Sequence, residues 1–274
     1  MRFLRVNGRE MACVEEGSGP PLLLVHGALA DLRFWAPQMA AFGRRHRAVA
    51  VSLRHHWPER WDGAGDGYGT ELHAEDVAAF ATALGAGPVR LVGHSRGGYV
   101  AFRVARRFPD RVRALVLAEP GGRLDASLRP AAPARARSPA PPIAFGAAAE
   151  RIRAGDTDGG LAVFVDALGG PGAWEGLSER ARGAMRDNAG TLLGQLRERR
   201  PPFARADAEA IGAPTLLVGA ERSPPAYAEI LDALERSLGD VRRVTIAGAS
   251  HAMNRGNPAA FNAAVLDFLA SCAA

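Results

Sequence analysis

The chain contains no lysine: all 34 of its basic residues are arginine. A nucleic-acid groove would show basic runs with interleaved aromatics, and none is present. The arginines are instead mixed with acids, as in Arg103, Arg106, Arg107, Asp110, Arg111 and Arg113, and 29 acidic residues leave a net charge of only +5. That is the pattern of a solvated mixed surface. Cysteine is scarce as well. Cys13 and Cys272 stand near opposite ends of the chain, which excludes a disulfide framework and gives no metal-ligand spacing. Two free thiols are expected. No apolar run approaches the roughly 20 residues that a membrane-spanning helix needs. The first residues, Met1 to Gly8, lack the apolar stretch of a signal peptide, so a cytoplasmic protein is expected.

What is present suits one large globular core. The chain has 274 residues, 47% of them hydrophobic and 23% charged, enough for an α/β domain with an insertion. Phe3–Val6 and Met11–Glu16 read as a β-hairpin turning at Asn7-Gly8. Short continuous apolar runs then recur at 21–25, 48–53, 89–92, 114–117 and 215–218, with a weaker one at 241–246. Runs of this kind suit strands buried on both faces of a parallel sheet. Helical spacing lies between them at 72–84, 99–108, 226–238 and 258–269. The alternation predicts a mostly parallel sheet covered by helices on both faces. It breaks after Leu117. Residues 128–142 are rich in Pro and Ala and read as an extended linker, and 143–205 read as helices alone. The expected organisation is a core of residues 1–122 and 206–274 with a helical cap inserted at 123–205.

The stretch Gly93-His94-Ser95-Arg96-Gly97 contains Gly-x-Ser-x-Gly. In a chain with 32 glycines that match is weak alone, and its context decides. An apolar strand precedes it and a helical segment follows, which is the setting of a nucleophile turn. A serine on so sharp a turn needs small neighbours, and Gly93 and Gly97 supply them. The helix that follows aims its free N–H groups at the same place, where an oxyanion would be stabilised. Serine is a weak nucleophile and needs a base with a third group to orient it. His251, just after the last strand, can reach the same sheet edge.

With these residues the sequence resembles the α/β-hydrolase family over nearly its whole length. The segment Leu24-Val25-His26-Gly27-Ala28, with Phe34-Trp35 beyond it, is similar to the family's oxyanion segment. The resemblance implies an oxyanion hole made by the backbone N–H groups of Ala28 and Arg96. It also implies structural roles for His26 and His94. The family's acid usually follows the strand at 215–218, but that loop holds Glu221 and no aspartate, with Ser223 at the acid position. A minority of the family, some haloalkane dehalogenases and zearalenone-type lactonases among them, carries the acid one strand earlier. Here Glu119 stands there. Glu119 is the first candidate and Glu221 the second.

The expected chemistry is acyl transfer with Ser95, His251 and Glu119 as the catalytic set. The substrate would be an ester or lactone of a small, largely apolar molecule, and no cofactor or metal is implied. Dehalogenase or epoxide hydrolase chemistry would need a carboxylate where Ser95 stands. Other reactions on the same triad, C–C hydrolysis or a lyase or cyclase step, stay open, as does a non-catalytic small-molecule receptor. His55, His56 and Trp57, in a bulky loop after the strand at 48–53, are candidate substrate-binding residues. Phe145, Phe164 and Trp174 would give an apolar cap wall or simply a cap core.

Overall fold

The computed structural model describes residues 1–65, 67–129 and 142–272. Among them are eight strands: β1 (Arg2–Val6), β2 (Arg9–Glu16), β3 (Pro21–Val25), β4 (Arg47–Val51), β5 (Val89–His94), β6 (Val112–Ala118), β7 (Thr215–Ala220) and β8 (Val241–Ile246). They form one sheet in the order β1-β2-β4-β3-β5-β6-β7-β8. β1 and β2 pair antiparallel, as do β2 and β4, and every other pair is parallel. The helices are α1 (Ala36–Gly43), α2 (Thr70–Ala83), α3 (Arg96–Arg107), α4 (Pro142–Arg153), α5 (Thr157–Gly169), α6 (Glu179–Asp187), α7 (Thr191–Arg197), α8 (Arg205–Glu209), α9 (Pro225–Glu235), α10 (Met253–Gly256) and α11 (Pro258–Ser271).

The two-residue period of β3 explains the layers. Leu23 and Val25 point to one face, where Val77 and Phe80 of α2, Val100 and Val104 of α3 and Leu231 of α9 cover them. Leu22 and Leu24 point to the other, against Trp35, Met39 and Phe42 around α1 and Phe261, Val265 and Phe268 of α11. Every residue of β3 is buried, as a strand with helices on both faces requires. Truncating one of these leucines to alanine would cost about 2–5 kcal/mol.

Two boundaries differ from the sequence reading for identifiable reasons. The run at 48–53 stops as a strand at Val51, because the Ser52 amide donates to the Ala12 carbonyl and the Leu53 amide to the His26 ring. Helix α3 starts at Arg96, three residues before the apolar spacing begins at Tyr99. Gly97 and Gly98 are poor helix formers, but both are fully packed and tertiary contact overrides the propensity. The stretch 128–142, read as a linker, lies outside the described residues apart from its ends.

Among the described residues, five helices, α4 to α8, stand between β6 and β7 with no strand. Where this segment leaves and rejoins the sheet, Leu124 and Phe203 form an isolated parallel bridge. The Asp125 amide donates to the Phe203 carbonyl and the Phe203 amide to the Arg123 carbonyl. The segment has its own apolar cluster of Ala148, Leu161, Phe164, Trp174, Ala189 and Leu192, which also takes in Leu29 from the loop after β3. Both cysteines are free thiols, and Cys13 is buried. No helix among the described residues is long and apolar enough to cross a membrane.

Four histidines lie fully inside this fold. Burial pushes His26 down to about 4 and His94 down to about 3, and holds His56 and His73 well below the usual range. Native protein therefore keeps them neutral while unfolded chain protonates them near pH 6.5. Between those values the unfolded state binds more protons, so stability rises with pH and is lost as pH falls below about 6.5. Chemical denaturation at pH 7.5 and 5.5 should show a lower unfolding free energy at 5.5, with uptake of at least about three protons on unfolding at the lower pH. Equal stability at the two values would mean these rings are charged in the native state.

Candidate active site

The parallel register sets the site. Val25 of β3 lies beside Gly93 of β5, and His94 lies beside Ala118 of β6. The residues that follow these strands therefore meet at one edge: Gly27-Ala28, Ser95 and Glu119. The sheet order also reverses here, β4 lying on one side of β3 and β5 on the other, and crevices form at such points.

Ser95 has φ 54° and ψ −120°, a costly backbone conformation for a residue with a side chain. Its amide donates to Ala118 and its carbonyl accepts from Tyr99 and Gly121, which holds it there. The flanking glycines are obligatory. A Cβ on Gly93 would strike the Gly97 carbonyl, and one on Gly97 would strike the carbonyl of His26. The chain thus turns from β5 into α3 against the loop after β3. Glu119, at φ 40°, and Leu29, at φ 55°, share the left-handed backbone, so the turns after β3, β5 and β6 each carry one such residue.

Glu119 is 1% exposed, and its carboxylate is fully occupied. Oε1 accepts from the Ala220 amide at 2.8 Å, and Oε2 accepts from the Ser223 hydroxyl at 2.9 Å and from His251 Nδ1 at 2.7 Å. Burial raises the Glu119 carboxyl, while the Ser223 and Ala220 hydrogen bonds oppose that rise. Burial also pushes the His251 imidazole down to about 4. The ring is therefore neutral at pH 7, with its proton on Nδ1 facing Glu119 and a lone pair on Nε2. Glu221 is not part of this arrangement, since its carboxylate accepts from the Gly248 amide at 2.6 Å. Ser223, the position at which the resemblance puts the family's acid, donates to the Glu119 carboxylate.

The remaining predicted residues divide. The Arg96 N–H opens α3 and has no partner within the helix. A Cβ built on Gly121 would lie 3.6 Å from that nitrogen and 3.7 Å from Ser95 Oγ, so one space borders both. Ala28 lies in the loop that carries the cluster around Leu29. His26 accepts from the Leu53 amide at 3.0 Å, and His94 donates through Nε2 to the His251 carbonyl at 2.7 Å. Both rings brace the loops on either side of the serine. His55 contacts Glu59 and stacks on Trp61, with ring centroids 4.2 Å apart. His56 bonds the Ala30 carbonyl at 2.7 Å and also borders a surface cavity of about 490 Å³ near the N-terminal hairpin. Trp57 lies under the Arg33 guanidinium at 3.9 Å. His56 and Trp57 thus contact Ala30, Arg33 and Asn188 outside their own loop, and none of the three residues is hydrogen-bonded to Ser95, Glu119 or His251. Phe145 and Phe164 stack edge to face at 4.9 Å inside the cluster of the inserted helices.

Tyr227, in the first turn of α9, was not singled out by the sequence. Its ring stacks on His251 at 4.2 Å, and its hydroxyl donates to His251 Nε2 at 3.2 Å. The same hydroxyl hydrogen-bonds Ser95, and burial raises its pKa. The available signal was its place: a tyrosine just after the loop of a strand that ends at the site edge.

A family model for the alpha/beta hydrolase fold matches residues 20–257. The chain belongs to the alpha/beta hydrolase family. Over 102 residues it is 34% identical to 2-(acetamidomethylene)succinate hydrolase of Mesorhizobium japonicum, which covers 37% of this chain and 36% of that protein. The chain thus spans about a third of the length of such curated relatives. Among solved structures, a thermophilic esterase from Thermogutta terrifontis aligns at a TM-score of 0.77 with 25% identity, over 99% of both chains. The enol-lactonase from Burkholderia xenovorans LB400 aligns at 0.74 with 22% identity, over 98% of this chain and 100% of the other, a likeness of fold. Among the described residues no group of three or more His, Cys, Asp or Glu side chains is placed to hold a metal ion.

Two substitutions test the arrangement. Glu119→Gln should lower the second-order rate of Ser95 acylation by about 10²–10⁴-fold, whereas Glu221→Gln should change it less than about threefold. Equal effects would detach Glu119 from the base. Tyr227→Phe removes a donor that competes with Ser95 for Nε2. One hydrogen bond is worth about 0.5–1.5 kcal/mol net, so labelling of Ser95 should quicken by about 2- to 13-fold. Slower labelling would show that the hydroxyl supports the base.

Proposed function

We propose that this hydrolase-family protein is a serine hydrolase that cleaves an ester or lactone of a small molecule through an acyl-enzyme on Ser95. The observation that carries the reading is the 2.7 Å contact of His251 Nδ1 with a fully hydrogen-bonded Glu119, beside a serine held at positive φ. Ser95 Oγ attacks the substrate carbonyl and passes its proton to His251 Nε2. Glu119 stabilises the imidazolium that forms. The N–H groups of Ala28 and Arg96 hold the oxyanion. His251 then gives its proton to the leaving oxygen, and water, activated by the same ring, releases the acid. Esterase and lactonase neighbours of the same fold agree with this chemistry.

The segment 123–205 acts as a cap in this reading. Its apolar cluster rests on Ala28 and Leu29, so it covers the oxyanion loop directly. Asn188 reaches down to Asp31 at 2.7 Å and takes the Trp57 amide at 2.8 Å. The loop that holds His55, His56 and Trp57 is thereby tied under the cap.

A fluorophosphonate probe, read by intact mass and peptide mapping, tests the reading with no knowledge of the substrate. A single adduct on Ser95, lost in Ser95→Ala, is expected. The labelling rate should stay flat from pH 8 down to about 5 and fall by half near pH 4, where the imidazole takes its proton. Absence of any adduct on folded protein would overturn the proposal, and a half-fall near pH 6.5 would mean the base is solvated.

A further inference from the structure

Behind Ser95 lies a second buried polar cluster that the acyl-transfer chemistry does not use. Glu198, just past α7, has a carboxylate 6% exposed and already saturated. Its Oε1 accepts from the amide and the hydroxyl of Thr70, and its Oε2 accepts from Arg96 Nη1 at 2.6 Å. Arg96 is 2% exposed and lies over the Tyr68 ring at 4.7 Å. Burial would raise the Glu198 carboxyl, yet Arg96 and Arg200 beside it hold it down to about 2. Two cations therefore face one carboxylate.

Arg200 is the cation left over. Its Nη2 meets the same Oε2 only at 3.5 Å, its Nη1 donates to the Gly121 carbonyl at 3.2 Å, and its Nε is buried with no partner. The side chain is 23% exposed, so its other donors can meet solvent, and its one firm acceptor in the protein is the Gly121 carbonyl. Burial and the neighbouring Arg96 charge both lower the Arg200 pKa, as expected of a guanidinium with too little counter-charge. Its place is specific. Gly121 donates its amide to the Ser95 carbonyl at 2.9 Å. The space above Gly121 borders Ser95 Oγ and the Arg96 amide, the nearest atoms to a Cβ there lying 3.5–3.7 Å away. Gly121 thus links the guanidinium to the Ser95 backbone, its carbonyl taking Arg200 and its amide holding the Ser95 carbonyl, and Tyr227 beside the serine feels the charge of Arg200.

We propose that Arg200 is the recognition residue for a carboxylate on the substrate, so that this chain takes esters or lactones bearing a free carboxylate a few bonds from the scissile carbonyl. The inference rests on the serine-hydrolase reading above and names its substrate class. A carboxylate matches the planar fork of a guanidinium, and it supplies the charge that Glu198, bound to Thr70 and Arg96, does not. Arg96 stays a scaffold for Glu198, its backbone facing the reacting carbonyl.

The test compares the p-nitrophenyl monoester of glutaric acid with p-nitrophenyl 5-methylhexanoate, a neutral ester of similar shape. The intact protein should show a higher kcat/KM for the glutarate monoester. Arg200→Gln should lower the anionic-to-neutral ratio about thirtyfold or more, and Arg200→Lys should restore part of it. Arg197→Gln, which alters an arginine bonded to the Gly63 and Gly65 carbonyls, should leave the ratio as it is. An unchanged ratio in Arg200→Gln, or an equal fall in Arg197→Gln, overturns the proposal. Should Arg200→Gln fail to fold, the intact protein decides: glutarate must slow fluorophosphonate labelling of Ser95 and glutaramide must not. If Ser95 takes no label at all, the hydrolase reading fails separately. A rise in Tm with glutarate but not glutaramide then upholds the anion site, and no rise refutes it.

Discussion

Everything at the site depends on how closely the turn after β5 approaches the loop after β3. A Cβ at Gly93 or Gly97 would strike backbone carbonyls, and only with those atoms absent can Ser95 hold φ 54°. That conformation lifts the hydroxyl off the sheet edge and begins α3 at once, so the first free N–H of the helix faces the same space. Such strain persists only where the surroundings over-determine it. Here the amide and carbonyl of Ser95 are bonded to Ala118, Tyr99 and Gly121, three points on neighbouring elements.

The parallel sheet then supplies the rest by register. One residue beyond the pair His94 and Ala118 stand Ser95 and Glu119, so these two residues are neighbours by strand alignment before any side chain is considered. A carboxylate buried at a strand end is costly unless hydrogen-bonded. Glu119 meets that demand with Ala220, Ser223 and His251. The exchange with the usual family arrangement is compact: Ser223 keeps the customary position but contributes a hydroxyl, and the negative charge comes from the next strand.

The inserted helices extend the same logic. Their apolar cluster closes on Leu29, and their polar contacts, Asn188 with Asp31 and Glu198 with Arg96, fasten to residues next to the oxyanion loop and the nucleophile. The packing of the inserted helices and the geometry around Ser95 are therefore coupled. A buried pair such as Arg96 and Glu198 adds little net stability but is destabilising to break, by about 3–5 kcal/mol when one partner is removed. It fixes position more than it stabilises, and it leaves Arg200 short of counter-charge beside the serine.

The sequence by itself determined the layered α/β architecture, because strands buried on both faces must be continuous apolar runs and their covering helices must repeat near 3.6 residues. It also marked Ser95 through its glycines, which no other residue type can replace at so tight a turn, and it made Glu119 the leading acid by its place at a strand end. It did not reveal Tyr227, Glu198 or Arg200. Tyr227 follows an unremarkable Pro-Pro-Ala start, and Glu198 and Arg200 sit in a charged run, Arg197-Glu198-Arg199-Arg200, that reads as solvated surface. Their importance comes from contacts across long sequence separations, Arg96 with Glu198 and Tyr227 with His251. The first exists only once the inserted segment packs on α3, and the second only once α9 packs beside the loop after β8. Local pattern records what a residue does to its own helix or strand, and only the tertiary structure decided which charges were buried together and which one was left short of counter-charge.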